Sequence, residues 1–548
     1  MKKRLIVLIA FILSTSVFIQ GCWLPLMPEF NPPPLPQLPD FEPPPMPLDQ
    51  PAENRPERPG RFTLRYDSES TMNPILALNR DNITLSSLLY ETLFILDENL
   101  VEVQSLVREW YSEDNEVFTF HILPDILMHD GELLTAIDVT YSIRQAMQNG
   151  RHVSKLRGVS EVSSDGELTV TITLSAPNAR FVRLLDIPII RSGTIGERIP
   201  PGSGPFMFPH PEAMWLTRFI QHRNYAYMPL STVYLRVSTD SELTGLFDEG
   251  FLSLLWDDPT GAFDIRLNRM HEPRIFDTSS LQFLGFNSNS PALSNPDVRR
   301  AISSSIDRQY IVENIMNAPR AGQTIASPLA ISPVFNMYDP SWEPPQDPLL
   351  EMAALFERAG LLDYNYDGFL ERPVGYAEFV EFTLDFIVNV ENAHKIAAAE
   401  KIANDLRLVG IDVNVRTLPW TNFMEALSDG TFDIYFGEIQ LGADFDLSPL
   451  LLPGDGNLNF GGMGSIGFAG LIADFLAADT QVEVSMAGRA LLDEIRFNAP
   501  FAPILYSRHA IYTPTGVISG GAYPTQSGIF HNFQDWSIDL LQLSRLDN

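Results

Sequence analysis

One stretch of the sequence, residues 363–371, has the spacing of metal ligands. Oxygen-bearing side chains alternate with tyrosines from Asp363 to Asp367, and Gly368 takes the sixth position. This spacing is that of the first half of an EF-hand calcium loop, in which alternate oxygens bind the ion. The twelfth position holds Val374 instead of the glutamate that completes such a site. We therefore predict a turn after the preceding helix, in preference to a calcium site.

The motifs of common enzyme sites are absent from the sequence. It contains no G-x-x-x-x-G-K-[ST] phosphate loop, no G-x-S-x-G nucleophile elbow and no H-E-x-x-H zinc helix. Of the 9 histidines, only His121 and His129 lie close together in sequence. The glycine-rich stretch from Gly454 to Gly470 lacks an adjacent lysine to hold phosphate. We expect a protein that is not an enzyme and that holds neither a cofactor nor a metal.

The only cysteine, Cys22, follows a segment with the layout of an export signal. The positive cluster Lys2–Arg4 precedes an unbroken apolar run, Leu5–Leu13, which is too short to span a bilayer. The residues Ile19–Cys22 resemble the bacterial lipobox, in which the cysteine is acylated before cleavage. We predict that residues 1–21 are a signal peptide and that Cys22 is lipidated. The alternative is an ordinary signal whose cysteine is accidental.

Residues 22–60 are predicted to form a lipidated, proline-rich tether. They contain 14 of the 43 prolines, and such segments favour polyproline II, which rises about 3.1 Å per residue. The tether therefore reaches on the order of 100 Å from the membrane. It would hold a folded body away from the lipid surface.

The folded body, from Arg61 onward, is predicted to be an acidic α/β protein. Roughly 490 residues are enough for two lobes with separate cores. The formal net charge of −32 argues against nucleic-acid binding and against docking on anionic lipid. Alternating and apolar runs predict strands and amphipathic helices in mixed sheets. The predicted strands are Phe118–Ile122, Leu168–Leu174, Ile411–Val415 and Phe432–Phe436, and the predicted helices cover 347–360 and 392–409.

An ordered series of motifs carries a family resemblance. In chain order they are TMNP from Thr71, LYETL from Leu89, FTF from Phe118, MHDGELLTAIDV from Met128, GSGP from Gly202 and VRRAISSSIDR from Val298. The chain resembles the oligopeptide and dipeptide type of extracellular solute-binding protein, which serves ATP-driven (ABC) importers. The resemblance covers residues 62–540.

The resemblance implies a periplasmic-binding-protein-like fold of two lobes that close on a solute around a hinge. We predict a first lobe over residues 61–280, to which residues 505–548 return, and a second lobe over residues 281–504. His129-Asp130-Gly131 is implied to be a structural turn in this family.

The resemblance also implies the solute-binding residues. Asp444, which follows the predicted strand Phe432–Phe436, would pair with the free amine of a peptide, with Asp446 as the second choice. Without solute we expect Asp444 to line an open, hydrated cleft. The alternative is that it caps the following turn.

In the first lobe, Ser70, Thr71 and Met72 match a segment that lines the cleft in relatives, although a plain strand-exit loop would also account for them. Trp420 would stack on the solute or pack in the core.

The function implied is the binding of a short peptide and its delivery to an ABC permease. We expect a monomer outside the cytoplasmic membrane of a bacterium, held there by its lipid anchor. The alternatives are a receptor of the same fold for a non-peptide solute such as a nickel chelate or a sugar, and a sensor of a peptide signal. A secreted hydrolase comes third, because no nucleophile and base are paired in the sequence.

Overall fold

The computed structural model describes residues 60–258, 260–261, 265–316, 324–335, 337–342, 348–375, 378–454, 458–462 and 466–545. These residues belong to one compact unit, Glu57–Asn548. The predicted signal peptide, Cys22 and most of the tether lie outside the described residues, as does Asp347 at the start of a predicted helix. Within the described ranges, no helix has the length and apolar character needed to cross a membrane.

The first half of the body is built mainly from short antiparallel strands. Its strands are β1 (Thr63–Arg65), β2 (Phe94–Leu96), β3 (Glu102–Gln104), β4 (Val107–Tyr111), β5 (Val117–Ile122), β6 (Val159–Ser164), β7 (Thr169–Leu174), β8 (Phe206–Met207), β9 (Trp215–Arg218), β10 (Thr232–Arg236) and β11 (Leu255–Asp257). Its helices are α1 (Arg80–Leu89), α2 (Ala136–Gln148) and α3 (Leu243–Asp248). Two four-stranded sheets result, in the orders β4-β5-β7-β6 and β1-β10-β9-β8.

The second half alternates strands with longer helices. Its strands are β12 (His271–Phe286), β13 (Thr324–Ala326), β14 (Glu371–Pro373), β15 (Phe379–Glu381), β16 (Thr383–Asn389), β17 (Asp412–Leu418), β18 (Ile434–Gln440), β19 (Phe501–Pro514), β20 (Ile518–Gly520) and β21 (Ser537–Ile538). Its helices are α4 (Pro296–Ser305), α5 (Arg308–Tyr310), α6 (Pro348–Arg358), α7 (Ala393–Leu408), α8 (Trp420–Asp429), α9 (Ser448–Leu451), α10 (Ile466–Ala477), α11 (Gln481–Asn498) and α12 (Leu540–Arg545). A seven-stranded sheet runs β11-β19-β12-β18-β16-β17, with β13 also paired to β19.

Local sequence explains where these elements begin and end. The side chain of Asn392 accepts a hydrogen bond from the backbone N–H of Lys395 and so caps α7. Gly410 follows α7 with a φ of 88°, a conformation that glycine adopts without steric cost. The predicted strands at β5, β7 and β17 and the predicted helices at α6 and α7 are confirmed. The strand β18 begins at Ile434 and extends beyond the predicted run to Gln440.

The apolar side chains form separate cores. The first core includes Phe118, Phe120, Ile172, Leu216 and Ile511. The second core includes Phe283, Tyr435, Phe445, Phe475 and Leu491, and the third includes Phe286, Phe386, Ile402, Phe436 and Ala502. A small fourth core includes Phe247, Leu255 and Tyr512. We call the part around the first and fourth cores the first lobe and the part around the second and third cores the second lobe.

Two long paired strands connect the lobes. The strand β12 contributes Phe276 to the first core and Phe283 to the second. The antiparallel strand β19 contributes Ile511 to the first core and Ala502 to the third. The mixed sheets and two-lobed fold are confirmed. The predicted domain boundaries, at residues 280 and 505, fall inside β12 and β19 and stay predictions.

Candidate functional site

The candidate site lies where segments that follow parallel strands meet between the lobes. In the second lobe, β16 is parallel to β17 and to β18, so their carboxyl ends lie at one edge of the sheet. In the first lobe, β1 and β10 are parallel and end side by side. Ligands of open α/β sheets bind beyond this edge. The segments after these strands are therefore the candidate walls of a solute site.

Asp444 follows β18 and lies at a contact between the lobes. Its carboxylate oxygen Oδ2 accepts a hydrogen bond from Asn178 Nδ2 of the first lobe at 2.9 Å. Its Oδ1 accepts one from the backbone N–H of Asp446 at 3.3 Å, which is the geometry of the predicted turn cap. Asp444 is only 3% exposed, so the expectation of an open, hydrated position is wrong for this conformation. The ligand role of Asp444 stays a prediction.

The charge of Asp444 is costly where it lies. Burial, followed by the negative charge of Asp446, raises its pKa above that of an ordinary aspartate, although the hydrogen bond from Asn178 opposes the shift. Asp446 itself is half-buried, and its Oδ1 accepts a hydrogen bond from the backbone N–H of Ser448 at 2.8 Å. An ionised carboxylate that has lost its water gains most from a cationic partner. A cation next to Asp444 would oppose the shift, as the nearby charge of Arg180 already does.

The three predicted residues of the first lobe are held by local contacts. Ser70 Oγ donates to Asp67 Oδ2 at 2.6 Å, and Thr71 Oγ1 donates to the backbone oxygen of Arg198 at 3.2 Å. Met72 is fully buried in the first core. A contact between the Met72 side chain and a solute would therefore require this lobe to rearrange, and the prediction for Ser70 and Thr71 stays open.

Trp420 begins α8 at the surface. Its side chain is 55% exposed, and it stacks on Phe423 with ring centroids 5.8 Å apart. Its backbone N–H donates to Glu391 Oε1 at 2.8 Å. The interpretation of Trp420 as a core residue is wrong, and stacking on a solute stays a prediction.

A cavity of about 580 Å³ lies at the carboxyl ends of β1, β10 and β11. Its volume is typical of small-molecule sites. Its walls combine apolar groups with charges of both signs, among them Leu64, Leu254, Trp256, Arg65, Arg80, Asp81, Asp240, Asp257 and Asp258. This composition suits a solute that has apolar parts and carries charges of both signs.

Arg80 is the cation of this cavity that is available to a ligand. Its guanidinium carbon lies 3.6 Å from the ring centroid of Trp256. The other arginine, Arg65, is paired with Asp81 at 3.2 Å and with Asp240 at 2.7 Å. Within the described residues Arg80 forms neither a hydrogen bond nor an ion pair. Its donors can therefore bind a carboxylate, with two parallel hydrogen bonds at best.

The cavity was not predicted from the sequence, although the sequence contains one signal for it. The apolar run Leu254–Trp256 is followed directly by Asp257 and Asp258. A buried strand followed by aspartate is the same pattern that drew attention to Asp444. Arg80 gave no such signal, because its approach to Trp256 depends on how α1 packs against β11.

A second contact between the lobes is polar and buried. Asn392 Nδ2, at the start of α7, donates to the backbone oxygen of Thr260 at 2.7 Å. The hydroxyl of Thr260 lies 3.0 Å from that of Ser507 in β19. Nearby, Lys395 Nζ is paired with Glu438 Oε2 at 2.7 Å. Besides the paired strands β12 and β19, contacts among the described residues therefore join the lobes beside Asp444 and beside the cavity.

The remaining motifs of the sequence form turns. One carboxylate oxygen from each of Asp363, Asp367 and Glu371 lies within 4.8 Å of the other two. Their oxygens accept hydrogen bonds from the loop itself: Asp363 Oδ2 from the N–H of Gly368 at 3.0 Å, and Glu371 Oε2 from the N–H of Tyr364 at 2.7 Å. This is the bonding expected of the predicted turn.

The His129-Asp130-Gly131 segment is also tied to the backbone of the first lobe. The backbone N–H of His129 donates to the carbonyl of Gly202 at 2.7 Å, and Asp130 pairs with Arg191 at 2.9 Å. Burial lowers the pKa of His129 to about 4, so the ring is neutral at physiological pH. These contacts fit the structural role that the resemblance implied.

Comparisons with known proteins give consistent results. The sequence model described as "Bacterial extracellular solute-binding proteins, family 5 Middle" matches residues 102–457. "Heme-binding protein A" of Haemophilus influenzae is 22% identical over 451 residues, which cover 74% of this chain and 78% of that protein. The "Oligopeptide-binding protein AppA" of Bacillus subtilis is 22% identical over 408 residues, which cover 69% of this chain and 73% of that one.

The fold itself matches a solved structure over most of the chain. The oligopeptide-binding protein AppA of Bacillus subtilis, solved in complex with a nonapeptide, superimposes with a TM-score of 0.65 and 19% identity. The match covers 88% of this chain and 100% of that one. The likeness concerns the arrangement of lobes and strands.

Proposed function

Because the chain belongs to the bacterial extracellular solute-binding proteins of family 5, we propose that its solute is a short peptide. The protein would bind this peptide outside the cytoplasmic membrane and deliver it to an ATP-driven importer by closing its two lobes. Binding of this kind requires polar groups that match the peptide termini and a hinge whose closure buries the solute.

The position of Asp444 carries the proposal. Its carboxylate lies after β18 at the contact between the lobes, 3% exposed. A peptide ammonium placed there would form a charge-assisted hydrogen bond, which is about twice as strong as a neutral one. Such a bond forms fully only when the lobes exclude water, so it couples recognition to closure.

The cavity beside Arg80 supports a zwitterionic solute. Arg80 offers donors to a carboxylate, Asp258 lies among the same walls, and Trp256 offers apolar surface. A peptide carries one ammonium and one carboxylate: its carboxylate would pair with Arg80, and Asp258 is the alternative to Asp444 as the partner of its ammonium. A solute with a single charge would leave one sign without a partner.

The same proposal includes the anchoring and state of the protein. We propose that residues 1–21 are removed, that Cys22 carries lipid and that the proline-rich tether lets the lobes reach a membrane permease. The working form would be a monomer that binds peptides without cleaving them. A single copy is sufficient, because both walls of the proposed site come from one chain.

The proposal is tested by thermal unfolding in the presence of a mixture of synthetic tri- to pentapeptides. A ligand that binds only the folded state raises the melting temperature by mass action. We expect an increase with free peptides, a smaller one with N-acetylated peptides and no cleavage products by mass spectrometry. No increase with any peptide would contradict the proposal, and cleavage would favour the hydrolase alternative.

The second candidate is a non-peptide solute. It is supported by the 22% identity to a protein named for heme binding. Under this alternative a heme or a nickel chelate would raise the melting temperature while the peptide mixture would not. Melting temperatures measured with both kinds of ligand therefore distinguish the two functions.

A further inference from the structure

A short segment of the first lobe, Asn178 to Arg180, forms hydrogen bonds with the second lobe beside Asp444. The backbone N–H of Ala179 donates to the carbonyl of Leu476 at 2.9 Å. Asn178 Nδ2 donates to Asp444 Oδ2 at 2.9 Å. We call the three residues 178–180 the latch.

Arg180 makes the largest number of contacts in the latch. Its guanidinium donates to the backbone oxygens of Phe475 at 2.7 Å, Ala478 at 3.1 Å and Asp444 at 3.4 Å. Its central carbon also lies 4.6 Å from the ring centroid of Phe475. Arg180 is 6% exposed, so these carbonyls take the place of water around its charge.

Two of the carbonyls that Arg180 contacts lie at the carboxyl end of a helix, where a cation is favourable. Phe475 lies in the last turn of α10 and Ala478 directly follows that helix. The last carbonyls of a helix have no partner within it and carry the negative end of its dipole. Burial lowers the pKa of Arg180 to about 10, which leaves it charged at neutral pH. In separated lobes both the guanidinium and the helix end would have to be solvated again.

We propose that Asn178 and Arg180 are positioning residues that hold the lobes closed on this side before a solute binds and fix Asp444 for its contact with the solute. Arg180 acts on the backbone of Asp444 and Asn178 on its carboxylate. The proposal relies on the lobe closure of the proposed function, but not on the solute being a peptide. A solute would then need to close only the side of the cleft that the latch leaves free.

Hydrogen exchange of the full-length protein without ligand tests the latch directly. The Ala179 amide is protected by a bond that crosses between the lobes, so its exchange reports their separation. We expect Arg180→Gln to speed this exchange roughly 5- to 150-fold, the range of ordinary coupling between sites. Arg183→Gln is the matched control, because Arg183 pairs with Glu102 within the first lobe at 3.0 Å.

The amides of β5 distinguish opening from unfolding. They should exchange at the wild-type rate in Arg180→Gln, since β5 is paired with β4 and β7 inside the first lobe and these bonds do not cross between the lobes. Arg180→Lys provides a milder variant, because lysine keeps the charge but lacks the fork of donors. It should give an intermediate rate at Ala179. Unchanged exchange at Ala179, or equal acceleration in β5, would overturn the proposal.

Peptide affinity gives a second, independent measurement. Affinity falls in proportion to the closed fraction, so Arg180→Gln should weaken N-acetylated peptides by the factor by which that fraction falls, and free peptides by more, because Asp444 also loses a contact that fixes it. A loss confined to the free peptide would contradict a closing role. Failure of every peptide to bind would reject the proposed function and leave the exchange result as the test of the latch.

Discussion

Replacing Asp444 by asparagine separates its binding role from its structural role. The substitution keeps the shape and removes the charge. A buried ammonium that loses its counter-charge costs about 2–5 kcal/mol, which corresponds to a loss of affinity of roughly 30-fold to several-thousand-fold. An N-acetylated peptide has no ammonium, so its weaker binding should hardly change.

The effect of Asp444→Asn on stability without ligand follows from two opposing contributions. The bond from Asn178 can be kept, whereas the bond from the Asp446 N–H at 3.3 Å loses its acceptor, at a cost of about 1 kcal/mol. Against this, the substitution removes a buried charge next to Asp446. We therefore expect the melting temperature at pH 7 to stay within about 4 °C of the wild type.

The pH dependence has a definite sign. Because burial raises the pKa of Asp444 in the folded protein, its ionisation opposes folding. Its contribution to stability is present below the unfolded pKa and is lost as pH rises through the folded value. Asp444→Asn should therefore gain stability relative to the wild type as pH rises through this range.

Calorimetric titration of free and acetylated peptides on the wild type, Asp444→Asn and Asp446→Asn provides the assay. A double comparison of this kind isolates the contact. Equal losses for both peptides on Asp444→Asn, or a large drop in stability without ligand, would refute the reasoning. A selective loss on Asp446→Asn alone would transfer the role to Asp446.

The remaining predictions concern the other end of the solute and the anchor. Arg80→Gln should abolish the preference for peptides with a free over an amidated carboxyl terminus, whereas the exposed control Arg108→Gln should retain it in the same titration; retained preference in Arg80→Gln would exclude Arg80 from the site. Cys22→Ala should release the protein into the medium or leave the signal uncut, as followed by detergent partition and intact mass, and unchanged membrane retention would exclude lipidation.

The sequence predicted those parts of the fold that depend on local patterns. Alternation identified β5 and β7, and the Asn392 cap and Gly410 bounded α7, because these signals act within a few residues. The strand β18 was also predicted, although it ends at Gln440, four residues beyond the predicted run and closer to Asp444. The paired strands β12 and β19 were not predicted, since apolar runs do not reveal which core each half of a strand enters.

The contacts between the lobes could not be predicted from the sequence. Asn178 and Asp444 are 266 positions apart in the chain, and neither lies in a motif that implies the other. The burial of Asp444 and Met72, the exposure of Trp420 and the position of Arg80 over Trp256 all depend on how the packed elements meet. Local propensity carries no information on such distant pairings.

Mass spectrometry of the small molecules released from the purified, denatured protein tests the central claim most directly. Closed lobes retain part of their ligand through purification, so the solute can be identified without choosing candidates in advance. The account predicts short peptides with free amino and carboxyl termini, absent from an Asp444→Asn sample prepared in parallel. A heme, a metal chelate or a sugar in the wild-type sample, with no peptide present, would contradict it.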